Sequence, residues 1–472
     1  MFGDFEAQRH WMELTVNLPA SEWYVHSAQN NLSYWGIDYP PLSAHVSCLF
    51  GLFARRLHPE LVSLHTSRGY ESSPTRSFMR NTVLLSDALV FFPAAYATSV
   101  AVSHQRRAQL HLLLLLLFLP SFVLVDHGHF QYNCIASGLA LWGAYGCLTG
   151  RPLCGSIAFS LALNFKQMSL YLAPAFFCYL LAGCLAQSGA VAKLRSLCML
   201  GLVVVATFAI CWLPWLRDTP SAFAVLTRVF PLERHLYEDK VANLWCTLAL
   251  LPPLKLKTLL TIPSLVRLAL LATAAAILPP CAMLLARPSR LGFVLCAAAC
   301  CLAFFLFSYQ VHEKHILLPL LPISLLAHRE PTLFCWFATT ATFSLFPLLK
   351  RDGQALPYFL LQLGYVITVL RMQSAVDNRR PLWWGLRFGL GVSASGMLLL
   401  HLAEATMKTP ERYPDLHVVA FSTWACGHFM LAYLGAVYCQ WHASFTEQRH
   451  TPFDPFDGAP LFDPPLRHPK CS

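Results

Sequence analysis

Long apolar segments, separated by short polar ones, follow one another along most of this 472-residue chain. Many of them reach about 18 residues or more, the length of an α-helix that crosses a lipid bilayer. The pattern predicts an all-α polytopic membrane protein with about 13 transmembrane helices. The expected spans lie near 79–102, 109–125, 130–148, 152–165, 168–186, 196–214, 258–286, 291–309, 315–327, 331–349, 354–371, 383–404 and 417–440.

The first 78 residues contain no span of this kind. Their apolar stretch from Leu42 to Leu57 is short, follows two prolines and ends in two arginines. A proline fits the first turn of a helix, and arginines beside an apolar face suit the membrane surface. We therefore expect a helix that lies in the membrane interface.

Composition supports the membrane class. Hydrophobic residues make up 56% of the chain and charged residues 12%, about half the share of soluble proteins. The net charge of +10 resides in short loops between apolar segments, where it orients the spans rather than binding nucleic acid. Many of the 17 cysteines fall inside apolar segments without a CxxC pair or metal-ligand spacing, so they are expected to be small core residues.

Charge also predicts the orientation of the chain. Basic residues that collect on one side of the expected spans, which is then the cytosolic side, are Arg106, Arg107, Arg151, Lys193, Arg195, Arg287, Arg290, Arg329, Arg371, Arg379 and Arg380. Polar segments on the opposite, luminal side are the candidates for an active face: 1–78, 126–129, 217–257, 310–314 and 405–416.

These patterns divide the chain into five regions. We expect a first luminal loop, a transmembrane core, a second luminal loop, a C-terminal set of spans and a disordered cytosolic tail, at 1–78, 79–214, 215–257, 258–440 and 441–472. The triplet beginning at Asn31 is a glycosylation sequon, and it falls on the luminal side, where an acceptor of the secretory pathway belongs.

A carboxylate stands at the start of the first polar segment. Asp4 precedes a helical pattern in which Glu6, Arg9, His10 and Glu13 share one face. Two interpretations remain open. Asp4 is a helix N-cap ahead of a solvated polar face, or it is a general base that removes a proton from an attacking hydroxyl group.

Aromatic residues surround a second carboxylate of the same segment. Trp35, Asp38 and Tyr39 stand just before two consecutive prolines, which hold the chain extended and start the next helix. Aromatic rings beside a carboxylate form the wall of many sugar-binding sites. An aromatic belt at the membrane interface is the competing explanation.

The segment between two spans at 126–133 is rich in polar groups. Asp126, His127, His129 and Gln131 run directly into the following apolar helix. A His-x-His pair is half of a metal site, but further ligands are missing from the pattern. Polar residues inside a span usually face a cavity, so we expect this segment to line one.

Two later segments on the luminal side carry cations. Glu238, Asp239 and Lys240 belong to a mixed run for which surface ion pairing is the ordinary explanation. His312 and Lys314 lie between two apolar spans, where they either reach for the interface or hold an anion such as a phosphate. The sequence has no GxxxxGK[ST] loop. If the protein is a transferase, we therefore expect its donor to be linked to a lipid rather than held by a nucleotide-binding domain.

Eight blocks together resemble the endoplasmic reticulum dolichyl-phosphate-glucose-dependent α-1,3-glucosyltransferases, most of all the members that add the first glucose to the nine-mannose lipid-linked oligosaccharide. They are GDFEAQRHWMELT at 3–15, YWGIDYPPLSAH at 34–45, TSRGYES at 66–72, FMR at 78–80, DHGHFQYN at 126–133, NFKQMSLY at 164–171, LYEDKVANLWC at 236–246 and QVHEKHIL at 310–317.

The resemblance implies a C-type glycosyltransferase fold with a luminal active site. It implies an inverting, metal-independent transfer with no cofactor beyond the lipid-linked donor, and it places the catalytic carboxylate at Asp4. We expect His312, Lys314, Lys240 and, more weakly, Arg9 to hold the donor phosphate. The acceptor or sugar would be contacted by Glu6, Trp35, Asp38, Tyr39, Asp126, His127, His129, Gln131, Glu238 and Asp239.

Three alternatives accompany this expectation. The family pattern has a transmembrane helix ahead of the first luminal loop, so one alternative is an inactive form that lacks this helix. Another is the sibling enzyme that adds the second glucose to the same lipid-linked precursor. A secondary transporter would also be all-helical, but it should contain internal repeats, and the sequence shows no such symmetry.

Overall fold

The computed structural model describes residues 3–230, 240–250, 261–327, 329–374 and 384–445. Every regular element in these ranges is a helix. The prediction of an all-α protein is therefore confirmed for the described part of the chain. Expected features at Glu238, Asp239 and 446–472 lie outside the described residues.

Two helices organise the polar N-terminal region. Helix α1 spans Phe5–Asn17 and helix α2 spans Pro41–Leu57. They pack closely because Gly51 has no side chain: a Cβ there would lie 2.4 Å from the Val16 Cγ2 atom. The expected helix at 42–57 is thus present, and its outer side exposes Leu49, Phe53 and Leu57. An exposed apolar face of this kind suits a membrane interface.

The next part of the chain forms a compact set of helices. They are α3 (Ser73–Ser86), α4 (Phe92–Val102), α5 (Arg106–Leu117), α6 (Pro120–Val123), α7 (Asn133–Leu148), α8 (Pro152–Phe165), α9 (Ala173–Leu185) and α10 (Ala190–Trp212). Short 3-10 or π segments at Asp87–Phe91, Leu124–Phe130 and Gln167–Leu172 join several of them. Proline in the first turn of α4, α6, α8 and α9 marks where these helices begin.

The remaining described helices complete the bundle. They are α11 (Thr219–Val229), α12 (Leu244–Leu250), α13 (Ile262–Ala286), α14 (Arg290–Phe307), α15 (Leu317–Ser324), α16 (Pro331–Ser344), α17 (Phe346–Arg351), α18 (Ala355–Ser374), α19 (Trp384–Thr406) and α20 (Leu416–Phe445). Helix α20 extends through residue 445, past residue 440, where the sequence placed the start of the disordered tail.

Among the described residues, nine helical stretches are long and apolar enough to cross a membrane. They coincide with nine of the expected spans. The other four expected spans, at 130–148, 152–165, 315–327 and 331–349, are also helical, but their helices contain 16 residues or fewer. The structure thus supports a polytopic membrane protein with nine full-length candidate spans.

Burial separates central helices from peripheral ones. In α14, 78% of the apolar stretch is buried inside the protein, whereas in Ala190–Trp215 and Gly385–Thr406 only 11% is buried. Apolar helices with so little buried surface face lipid rather than protein. The central helices place the polar turns at 124–130 and 308–316, and the turn after α17, close to the N-terminal region.

Candidate active site

A π-helical segment at Leu124–Phe130 shapes one wall of the site. A wider turn contains one extra residue, so it changes the direction in which successive side chains point. The segment ends at Phe130, whose φ of 75° lies in the left-handed region. Non-glycine residues rarely adopt this conformation, and they do so most often at functional sites.

The N-terminal turn docks directly on this segment. The Asp4 backbone N–H donates to the His129 carbonyl over 3.1 Å. Gly3 has a φ of 59°, and a Cβ at this position would lie 1.7 Å from the His129 carbonyl oxygen. Only glycine allows the two backbones to approach so closely. Gly3 therefore fixes where the Asp4 side chain sits.

Among the residues that the structure describes, the Asp4 carboxylate has three polar partners. Lys314 Nζ donates to Asp4 Oδ2 over 2.9 Å, and the Gln131 amide donates to the same oxygen. His129 Nε2 lies 3.5 Å from Asp4 Oδ1. Asp4 makes no side-chain hydrogen bond to the first turn of α1, so the N-cap interpretation of its carboxylate is not supported.

These partners determine the ionisation state of Asp4. Burial alone would raise the pKa of the carboxyl group, but Lys314, His129 and Gln131 outweigh burial and hold that pKa well below its ordinary value. Ionised carboxylates are favoured by nearby cations and by donated hydrogen bonds. Asp4 is accordingly a carboxylate throughout the physiological pH range.

His129 lies between two acidic groups. Its Nδ1 atom is 2.5 Å from Asp352 Oδ2, and its Nε2 atom is 3.1 Å from Lys314 Nζ as well as facing Asp4. Asp352 is the residue that follows α17 and is 7% exposed. A buried carboxylate on one ring nitrogen fixes the orientation of the imidazole.

A second lysine, Lys166, orients the polar groups around Asp4. Lys166 Nζ donates to Gln131 Oε1 over 3.1 Å and to Asn133 Oδ1 over 2.6 Å. Burial, together with the nearby Lys314, lowers the pKa of Lys166 to about 8. Because Lys166 holds the Gln131 carbonyl, the Gln131 amide is oriented towards Asp4.

Asp4, Gln131, Lys166 and Lys314 face a cavity of about 420 Å³. Its lining combines carboxylates, cations and aromatic rings: Asp4, Ala7, Gln8, Trp11, Leu32, Trp35, Gly36, Asp38, Tyr39, Gln131, Lys166, Gln167, Met168, Arg228, His312, Lys314 and His315. A concave site with a few convergent polar groups is the usual form of a small-molecule binding site. Here a carboxylate and cations stand side by side, which suits the handling of a hydroxyl group and an anion.

Comparison with known proteins assigns the chain to a family. The sequence profile described as the ALG6, ALG8 glycosyltransferase family matches residues 1–435. The chain belongs to this family. Curated relatives named dolichyl pyrophosphate Man9GlcNAc2 alpha-1,3-glucosyltransferase from Gallus gallus and Rattus norvegicus are each 41% identical, over 91% of this chain and 89% of the relative. A relative from Arabidopsis thaliana, named a probable enzyme of the same kind, is 41% identical over 94% of this chain and 85% of its own length.

The structure brings several sequence candidates of this ALG6, ALG8 family member into one place. Asp4, Trp35, Asp38, Tyr39, Gln131, His312 and Lys314 line the cavity, and His129 contacts Asp4 from behind. The Asp4 and Lys314 side chains, 310 positions apart in the sequence, meet directly. The polar segments at the start of the chain, at 126–133 and at 310–315 thus form a single site, as expected from their common side of the predicted spans.

Arg9 was expected to hold the donor phosphate, and the structure corrects this. Its guanidinium is fully buried and pairs with Glu13 and Glu6, each at 2.7 Å. The remaining donors bind the Leu61 carbonyl and Ser67 Oγ. Arg9 therefore ties α1 to the segment at 61–69. Glu6, expected to contact sugar, is held in the same network and also accepts from the Tyr34 hydroxyl group.

Two residues of the segment 126–133 also differ from expectation. Asp126 is buried, and its carboxylate accepts from the backbone N–H groups of Asn133 and Cys134, so it caps the start of α7. His127 Nε2 pairs with Asp87 at 2.8 Å. Neither residue is among those that line the cavity.

Two further candidates lie elsewhere. Lys240 pairs with Asp415, and 44% of its side chain is exposed, so its ammonium group is not among the lining cations of the cavity. Asn31 is exposed in a turn where its side chain accepts from the Ser33 backbone N–H. An exposed sequon is accessible to modification.

The site includes residues that the sequence did not single out: Arg228 and His315 line the cavity, and Asp352 contacts it only through His129. Asp352 and Arg228 stand in segments with no motif, and His315 follows the recognised His312 and Lys314. The Arg228 guanidinium donates to the carbonyls of Gly36 and Ile37 over 3.0 and 3.2 Å, so it fixes the loop that carries Trp35 and Asp38. The signal for Lys166 was visible, because its charge interrupts an apolar stretch.

Three buried thiols meet in the bundle. The Sγ atoms of Cys281, Cys296 and Cys300 lie within 4.8 Å of one another, a grouping that the sequence spacing did not reveal. They belong to the large apolar core. A metal bound by three thiolates would bring net negative charge into apolar surroundings, which is costly. Sγ to Sγ distances of 3.8 and 3.9 Å are explained by packing of neutral thiols.

Proposed function

We propose that this chain transfers glucose from dolichyl phosphate β-D-glucose to the lipid-linked Man9GlcNAc2 oligosaccharide, forming an α-1,3 linkage with inversion. The printed names of the relatives describe an α-1,3-glucosyltransferase acting on Man9GlcNAc2. The observation that carries the proposal is the pairing of an ionised carboxylate, Asp4, with Lys314 at the wall of a cavity large enough for sugar residues.

Asp4 is the general base of the proposed reaction. Its carboxylate accepts the proton of the mannose 3-hydroxyl group while that oxygen attacks the anomeric carbon of the glucosyl phosphate. The bond between this carbon and the phosphate oxygen breaks, and dolichyl phosphate leaves with the bonding electron pair. Attack on the face opposite the leaving group converts the β-linked donor into an α-linked product.

Cations stabilise the leaving phosphate. Lys314 and His312 both line the cavity beside Asp4, and both side chains present N–H donors suited to phosphate oxygens. The departing phosphate is already a stable anion, so fixed positive charge is sufficient and a strong acid is unnecessary. The reaction as proposed requires neither a metal ion nor another cofactor.

An aromatic wall receives the acceptor sugars. Trp35 and Tyr39 line the cavity on the side of Asp38, and half of the Trp35 side chain is exposed. Aromatic rings pack against the apolar faces of sugar rings, while Asp38 and Gln131 are positioned to bind hydroxyl groups. This arrangement would align the terminal mannose with the Asp4 carboxylate.

The membrane arrangement is proposed to follow the C-type glycosyltransferases. The four short apolar helical segments would join the nine full-length candidate spans to give about 13 crossings. The active site would face the lumen of the endoplasmic reticulum, with the C-terminus in the cytosol. The five regions with boundaries near 78, 214, 257 and 440 would then be a luminal loop, a first set of spans, a second luminal loop, a second set of spans and a cytosolic tail.

Complementation tests the proposed function. A cell that lacks transfer of the first glucose accumulates the nine-mannose precursor. Expression of this chain should restore glucosylated lipid-linked oligosaccharide, whereas Asp4→Asn at the same expression level should not. Accumulation of unglucosylated precursor with the wild-type chain would contradict the proposal. Rescue only in cells that lack the second transfer would identify the sibling reaction instead.

A further inference from the structure

One buried pair in the site has no role in the transfer described above. Asp352 Oδ2 lies 2.5 Å from Nδ1 of His129, and Nε2 on the other side of this ring faces both Asp4 and Lys314. The imidazole is 4% exposed and Asp352 is 7% exposed. A carboxylate, an imidazole and a second carboxylate thus form a continuous chain that leads away from the cavity.

These distances are compatible with a neutral His129 ring whose proton is on Nδ1 before substrate binds. With a proton on Nδ1, His129 donates to Asp352, and the lone pair on Nε2 accepts from the Lys314 ammonium group at 3.1 Å. In this state His129 makes no hydrogen bond to Asp4, which lies 3.5 Å from Nε2, and Asp4 is held as a carboxylate by Lys314 and Gln131. Lys314 stands between His129 and Asp4 and donates to both.

Donor binding would change this arrangement. Under the proposed function, on which this inference rests, Lys314 turns its ammonium group towards the donor phosphate. Asp4 then loses the cation that lowers its proton affinity, and Nε2 of His129 loses its donor. The lone pair on Nε2, which faces Asp4, can then accept a proton.

We propose that His129, held by Asp352, receives the acceptor proton from Asp4 as glucose is transferred. The mannose hydroxyl proton moves to Asp4 as the new carbon–oxygen bond forms, and it then moves from Asp4 to Nε2. The imidazolium that results is balanced by the Asp352 carboxylate. Asp4 is restored as a carboxylate, and His129 returns its proton to water after the product leaves.

This role makes His129 and Asp352 positioning residues that act through Asp4. Within the described part of the chain, the titratable groups facing the His129 ring are Asp4 from the N-terminal turn, Lys314 from the turn before α15 and Asp352 from the end of α17. His129 must be neutral to accept a proton. The turnover number should therefore fall at acidic pH as His129 becomes protonated in the substrate complex.

Asp352→Asn tests the inference in the full-length enzyme. The amide can still accept from Nδ1, so the ring keeps its orientation, but the negative charge that favours the imidazolium is lost. The turnover number should fall about 100-fold, with the KM for each substrate within about twofold of the wild-type value. The acidic limb of the turnover profile should move to lower pH, because His129 without its carboxylate partner is a weaker base.

Asp87→Asn is the matched control. Asp87 is buried and pairs at 2.8 Å with His127, which lies on the same π-helical segment as His129, but this pair does not line the cavity. The control should keep the wild-type turnover and the wild-type acidic limb. Asp352→Glu retains the charge, so the acidic limb of its turnover profile should stay near the wild-type position. This variant can be measured even if Asp352→Asn does not fold.

Each outcome decides one claim. A wild-type enzyme that fails to transfer glucose refutes the proposed function rather than the relay. An active wild-type enzyme whose Asp352→Asn variant keeps its turnover, or loses turnover without moving the acidic limb, overturns the proton transfer to His129. An equal shift of the limb in Asp87→Asn would also overturn it.

Discussion

Single side chains at the start of helix α1 and within it divide into two groups with different tasks. Asp4 faces the cavity, whereas Arg9 and Glu13, one and two turns later, are fully buried and bind each other at 2.7 Å. A charge that is removed from water needs a partner of opposite sign. The sequence showed that charged residues shared a helical face, but it could not show which of them would be paired inside the protein.

Glu13→Gln should destabilise the protein. Burial alone would raise the pKa of Glu13, but His10 and Arg9 lower it to about 2 from an ordinary value of 4.5. Removing the charge leaves Arg9 with Glu6 as its carboxylate partner, and loss of one member of a buried pair costs about 3 kcal/mol. The thermal midpoint in detergent at neutral pH measures this loss.

The pH dependence of the same variant has a defined sign. Because the folded pKa is depressed, the stabilisation by Glu13 is complete above about 4.5 and disappears as the pH falls towards about 2. The difference between wild type and Glu13→Gln should shrink over that window. Glu60→Gln, at a surface pair with His58, should change stability by less than about 0.5 kcal/mol at any pH. Equal effects of the two variants would contradict the account of the buried pair.

At the scale of elements, turns rather than helices create the site. Four separate segments each supply one side chain to the hydrogen-bonded series Lys314, Asp4, His129 and Asp352. They are the turn before α15, the N-terminal turn, the π-helical segment and the residue after α17. The apolar pattern predicted most helices well, because periodic burial leaves a local signal. The π-helical turn and the role of Asp352 depend on contacts between distant segments, for which a single sequence gives no local signal.

Gly3→Ala should displace the catalytic turn. A methyl group at this position would meet the His129 carbonyl oxygen at 1.7 Å, so the turn that carries Asp4 must move. A misplacement of about 1 Å at a reacting group costs about 100-fold in rate. The rate of glucose transfer, normalised to the amount of folded enzyme, measures this effect.

Gly69→Ala is the control that separates the two effects of Gly3→Ala, the collision with His129 and the strain of a positive φ. Gly69 also has a positive φ, of 69°, but a Cβ there would meet no atom within 4 Å. This control carries the conformational strain without the collision, so its transfer rate should remain near the wild-type rate. A Gly3→Ala enzyme as active as the Gly69→Ala enzyme would show that close docking on His129 is not required.

At the scale of the whole molecule, orientation across the membrane links the separate segments. The segments at 3–15, 126–133 and 310–315 converge, as expected from their shared side of the predicted spans. Their convergence supports the predicted alternation of the spans.

Glycosylation of Asn31 tests the orientation directly. The sequon is exposed beside the mouth of the cavity, since Leu32 is a lining residue. If this side faces the lumen, peptide N-glycosidase should shift the electrophoretic mobility of the wild-type protein and of Ser33→Thr, which preserves the sequon. Asn31→Gln and Ser33→Ala should show no shift. A wild-type protein that carries no glycan would contradict the luminal placement of this loop.

Transfer of the first glucose with Asp4 as the base can be measured with the purified full-length enzyme. The enzyme is supplied with dolichyl phosphate glucose and with either Man9GlcNAc2 or its singly glucosylated product on the lipid carrier, in the presence of a chelator. Wild-type enzyme should glucosylate Man9GlcNAc2 and leave the glucosylated acceptor unchanged, and Asp4→Asn should be reduced at least about 1,000-fold. Preference for the glucosylated acceptor, dependence on a divalent cation, or substantial transfer by Asp4→Asn would contradict the account.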